Sequence, residues 1–156
     1  MTEADQAALS YLARRDVSAQ WRGFVRALLE TLGTHLDEAS RSGLLRSIGG
    51  QMAAGMPLQA ASTLAELEAR MNDALATIAW GYVSVTLDGT DRSLKLTHHA
   101  APAIGAAGDG AGGWISAVLE GLYGAWLGAQ QGGTGSGAGL RTVQCEPGLI
   151  VLRYGQ

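Results

Sequence analysis

At Trp80 the hydrophobic pattern of this chain changes period, and that change restricts the fold more than any other feature. Before it, Leu64, Leu67, Met71, Leu75 and Ile78 recur at helical spacing. After it, Tyr82 to Leu87 alternate, with Val83, Val85 and Leu87 on one face. Asp88-Gly89 then opens a turn, and Ser93 to Thr97 alternate back. A helix followed at once by a β-hairpin requires an α+β domain. Thr63 and Glu66 mark the start of the helix as a capping box, each side chain satisfying the other's free backbone N–H.

The rest of the chain extends this plan. Trp21, Phe24, Val25, Leu28, Leu29 and Leu32 predict a helix from about Ser18 to Leu32. A second runs from about Leu36 to Ala54, with Leu44, Leu45, Ile48 and Met52 inward and Gly49-Gly50 weakening its interior. Residues 100–113 read as loop. A Gly-bearing helix runs from Trp114 to about Gln130, with Ile115, Val118, Leu119, Leu122 and Trp126 on one face. Residues 132–139 read as a Gly-rich linker. Leu140 to Cys145 and Leu149 to Tyr154 form a C-terminal hairpin around Glu146-Pro147-Gly148. The expected architecture is three N-terminal helices, a β-hairpin, the Gly-bearing helix and a second hairpin. The hairpins join into one antiparallel sheet with helices on one face. Residues 1–17 form a polar N-terminal arm or frayed helix, and 18–156 the single α+β domain.

Composition narrows the functions open to this fold. The 156 residues suffice for one domain with a real core. Only 16% are charged, well below the usual quarter, which points to surface covered by another chain. Net charge is −3, and the eleven basic residues are scattered, so no stripe suits nucleic acid. No apolar run approaches the roughly 20 residues of a membrane span. The first residues lack the pattern of a secretory leader, so the expected location is the cytoplasm.

Reactive constellations are scarce in this sequence. His98 and His99 are strand neighbours that point to opposite faces, a poor metal pair. Cys145, the single cysteine, sits where a buried strand residue would and reads as a small core hydrophobe. Asp88 and Asp91 read as turn residues, without the spacing or the final Glu of a calcium loop. Gly133 to Ala138 match G-x-G-x-x-A in letters, but they follow a helix and precede a strand, the reverse of a dinucleotide fingerprint. A glucan hydrolase needs two carboxylates about 5–9 Å apart, and Asp88, Asp91, Asp109 and Glu120 make no persuasive pair. The reading is therefore no enzyme, no cofactor and no metal. The Gly-bearing helix also carries a small-residue track, Ala117, Gly121, Gly124, Ala125 and Gly128, which lets another backbone approach closely. That backbone is either the chain's own sheet or a second subunit.

Ile78-Ala79-Trp80-Gly81-Tyr82-Val83-Ser84-Val85 and Trp114-Ile115-Ser116-Ala117-Val118-Leu119-Glu120-Gly121-Leu122-Tyr123-Gly124-Ala125-Trp126 resemble the D subunit of bacterial cellulose synthase. Asp91 to His98 and the Gly105–Gly108 loop fit as well, and the resemblance spans about residues 21–131. It implies a non-catalytic accessory scaffold of cellulose secretion. Members form dimers that build an octamer, guide glucan chains, and stack into filaments with a Pro-rich companion that orders synthase complexes. The glucan-channel role would prefer the periplasm, beside the inner-membrane synthase. Stacking on sugar rings needs an aromatic face, which makes Tyr11 and Trp21 the glucan-facing candidates, with a core role favoured for Trp21. An alternative is a small hydrophobic-ligand-sensing domain of the vinyl-reductase-type fold, which the lack of a metal-binding cysteine cluster disfavours.

Overall fold

A computed structural model describes residues 2–15, 17–90, 92–104, 113–130, 139–146 and 148–155. Residues 105–112 of the loop expected at 100–113, Asp109 among them, most of the Gly-rich linker, and Asp91 lie outside them.

The elements run α1 (Glu3–Arg15), α2 (Ala19–His35), α3 (Glu38–Gly55), α4 (Leu64–Thr77), β1 (Tyr82–Leu87), β2 (Leu94–His99), α5 (Gly113–Ala129), β3 (Leu140–Glu146) and β4 (Leu149–Tyr154). The expected α+β architecture is present. The residues read as an arm include the 13-residue helix α1. The second predicted helix starts two residues later than expected. Asp37 caps it, its side chain accepting the Ser40 N–H at 2.7 Å. At α4 the capping box is offset: Thr63 accepts the Glu66 N–H, while the Glu66 carboxylate reaches the N–H of Ser62.

The two hairpins form one four-stranded antiparallel sheet in the order β1-β2-β4-β3. β2 and β4 pair in the centre, Leu96 opposite Leu152 and His98 opposite Ile150. Because side chains alternate, Val83, Val85, Leu96, His98, Ile150 and Leu152 share the face that packs beneath the helices. Leu87, expected on that face, is exposed at the strand end. β3 carries an irregularity between Thr142 and Gln144.

α5 is the central element, with nine of its residues buried. Trp126 Nε1 donates to the Met56 carbonyl at the end of α3. α3 and α5 cross with their backbones nearly touching. A Cβ on Gly121 would lie 1.9 Å from the Arg46 carbonyl oxygen, and one on Gly49 would lie 2.0 Å from that of Val118. Gly49 thus trades helix propensity for this approach. Beside the crossing, the Glu120 carboxylate takes the Arg46 Nε–H at 2.6 Å on one oxygen and the Thr142 hydroxyl at 2.7 Å on the other.

α4 lies along the outer edge of β1. Asn72 acts as a short strand: its Oδ1 accepts the Val83 N–H at 2.7 Å and its Nδ2 donates to the Val83 carbonyl at 2.9 Å. One helical turn earlier, Glu68 accepts the Val85 N–H at 2.7 Å. Edge groups of a sheet that would otherwise invite another chain are thereby satisfied internally. No helix among the described residues is long and apolar enough to cross a membrane.

Candidate functional site

The first helical stripe does not bury itself. Of α2, only Leu29 is buried, while Trp21 and Phe24 are 56% and 60% exposed. Leu28, and Leu44 and Ile48 on α3, are exposed too, so half of the inner face expected for α3 looks outward. The physical reason is geometric. α3 crosses α5 through Gly49, which turns Leu45 and Ala53 inward and leaves Leu44 and Ile48 exposed, Ile48 in the groove beside α2. α2 then stands off from that side of α3. Its links to the body include Leu29 and a hydrogen bond from Arg26 Nη2 to the Ile104 carbonyl at 3.2 Å.

Between them lies an open apolar groove of about 720 Å³. Leu12, Trp21, Leu28, Ile48, Trp80 and Trp114 are among its lining residues, and Ser18 contributes a hydroxyl. Trp21 and Phe24 hold one another edge to face, with ring centroids 6.0 Å apart. Among the described residues the lining supplies no carboxylate, imidazole or thiol for proton transfer or covalent chemistry. What it can do is bind apolar surface. Patches of this kind on a small domain mark interaction sites.

The residues singled out from the sequence are not brought together. Gly121 faces α3 of the same chain, neither its own sheet nor a free surface. Gly124 faces β3, with Leu140 3.8 Å from a built Cβ. Gly128 has open space around it, and Ala125 is exposed. Trp21, for which a core role was expected, lies in the exposed apolar face because α2 stands off the body. Tyr11 is 63% exposed on α1, one residue before the groove-lining Leu12.

His98, read as a strand end, is fully buried. Its Nε2 lies 2.7 Å from the Trp80 carbonyl, an acceptor, so Nε2 carries the proton. Nδ1 then accepts the hydroxyl hydrogen of Tyr123. Burial pulls the imidazole pKa from 6.5 down to about 4, against the opposing Trp80 hydrogen bond. This is a neutral structural pair tying the sheet to α5. His99 points to the other face and stacks on Tyr82 at 4.8 Å. No cluster of metal-ligating groups occurs among the described residues. Cys145 is half-buried and packs against the core.

Comparison with known proteins adds an independent observation. A sequence model for the D subunit of cellulose synthase matches residues 7–155. A cellulose synthase operon protein D from Komagataeibacter sucrofermentans is 34% identical over 135 residues, covering 81% of this chain and 86% of its own length. Proteins with the same description from Komagataeibacter xylinus are 34% identical over 135 residues, covering 81% of this chain and 86% of their own, and 36% over 122, covering 76% and 78%.

Proposed function

The chain belongs to the family of cellulose synthase D subunits, and from that membership we propose that it is a non-catalytic accessory component of a bacterial cellulose-synthesising complex, built to assemble with copies of itself. The observation that carries the assembly is the apolar face of α1, α2 and α3. Leu12, Trp21, Phe24, Leu28, Leu44 and Ile48 are 40–60% exposed. Together they present roughly 600–700 Å² of side chain, close to what each partner of a standard interface buries. Trp21 and Phe24 are the kind of large aromatic anchor on which such interfaces concentrate their energy. Trp21 therefore suits a protein contact better than a sugar. Tyr11, exposed and outside the groove lining, is the ring better placed to meet a glucan chain.

A second reading is favoured by one observation. The groove has the volume and lining of a site for a small hydrophobic ligand. Solution mass by light scattering separates the two. The native chain is expected to elute as an assembly, near eight chains if it follows the octamer that family resemblance implies. In about 0.5 M salt, Phe24→Ser with Leu28→Ser is expected to reduce it to the 16.1 kDa chain with an unchanged circular dichroism spectrum. A native monomer would sink the scaffold and bring the ligand reading forward.

A further inference from the structure

An apolar face that meets its own copy about a two-fold axis closes on itself and stops at a pair. Growth beyond a pair needs a second surface of different chemistry, and the helix-free face of the sheet has one. Lys95 stands opposite Arg153, and Arg153 opposite Arg141. Three cations thus lie in one row across neighbouring strands, with Cβ atoms roughly 5 Å apart, an arrangement that like-charge repulsion disfavours. Asp88 offsets one of them, accepting from Arg153 at 3.1 Å. Among the described residues neither Lys95 nor Arg141 has a carboxylate partner. In a chain of net charge −3 this row is a local exception, unseen in the sequence because its members are far apart there.

The row's chemistry selects its occupant. Two copies of it would repel each other face to face. A nucleic acid or an anionic bilayer is an extended polyanion that calls for a broad basic stripe, which three cations, one of them offset by Asp88, do not make. A compact acidic patch meets the row alone, because screening confines the field to about 8 Å at physiological salt. The chain carries such a patch at the turn between α2 and α3, where Asp37 and Glu38 are both exposed. The Ser40 N–H holds the Asp37 carboxyl below its ordinary value, so it stays ionised. The nearby basic groups are His35, exposed, and Arg41, whose guanidinium lies over Gly33.

We propose that the Lys95–Arg153–Arg141 row of one copy docks head to tail on the Asp37–Glu38 turn of a second, joining pairs into larger assemblies. The proposal rests on the self-assembly reading above, and it makes the second contact salt-sensitive where the apolar one is not. The test is light scattering on the full chain at about 0.05 M and about 0.5 M salt, where screening lengths differ severalfold. The large particle is expected at low salt and the pair at high salt. Arg141→Glu is expected to leave only the pair at low salt, and Glu38→Arg likewise. The double charge swap should restore the large particle. Both side chains are exposed, and Asp37 is left in place because it caps α3. The proposal is overturned if Arg141→Glu together with Lys95→Glu leaves the low-salt mass unchanged, or if the swap fails to restore it. It is also overturned if the row instead binds phosphatidylglycerol vesicles in an Arg141-dependent way without affecting mass. A native particle that never exceeds a pair refutes this contact and leaves the apolar face standing, whereas a native monomer refutes the apolar face itself.

Discussion

His98 is the residue whose chemistry the fold changes most. Its folded pKa, about 4, lies below its ordinary 6.5, so the unfolded chain takes up a proton the folded one refuses. Stability from this residue is complete above about pH 6.5 and is lost as pH falls toward 4, by about 3 kcal/mol in all. The carboxyls held below their ordinary 3.8, Asp5, Asp37 and Asp88, lose theirs only at still lower pH, so the window belongs to His98. Urea midpoints at pH 7 and pH 5 measure it. The native chain should be clearly weaker at pH 5, and His98→Gln, weaker throughout, should be nearly flat across the window. Equal native midpoints would remove the buried, neutral imidazole from this account. Nothing local marks His98 as buried, because His-His at a strand end is equally consistent with two solvated rings. Burial is tolerable because the Trp80 carbonyl and the Tyr123 hydroxyl, 18 and 25 residues away, satisfy both ring nitrogens.

Elements meet through two devices of unequal legibility. The small-residue track of α5 is visible as a pattern, but its members do different things. Gly121→Ala forces a methyl into the α3 backbone and should cost about 3 kcal/mol or more, since backbone cannot step aside as a side chain can. Gly128→Ala meets open space and should add about 0.5–1 kcal/mol by restricting the unfolded chain. Thermal melts of the two variants should move in opposite directions, and parallel shifts would contradict the crossing geometry. The second device, the α4 clamp on β1, is nearly silent in the sequence. Its one signal there is Glu68 and Asn72, four apart on a helix otherwise striped with Leu67, Met71 and Leu75. Asn72→Ala removes two hydrogen bonds from Val83 and should cost about 1–3 kcal/mol. Hydrogen exchange at the Val83 amide should accelerate in that variant, and unchanged protection there would mean the edge is closed by something else.

At the scale of the whole molecule, the low charge content acquires a location. Most of the apolar excess not absorbed by the core sits on α1 to α3, with Tyr82, Leu87 and Val143 exposed on the sheet, because the close α3–α5 crossing consumes one flank of α3. Periodicity, capping residues and turn chemistry are local, and they are enough to yield the element order, the hairpins and the α+β class. The motifs around Trp80 and Trp114 are enough to point to the family. Which apolar stripe is buried is not a local property. Trp21, Phe24, Val25, Leu28 and Leu29 have the same spacing whether their helix is pressed into a core or stands off it. The same holds for charge. Lys95, Arg141 and Arg153 are scattered along the chain and become a row only when the β2–β4–β3 register sets them side by side. Spacing along the chain settles what each segment becomes, whereas exposure and charge clustering depend on which segments end up as neighbours, and that is a property of packing in three dimensions.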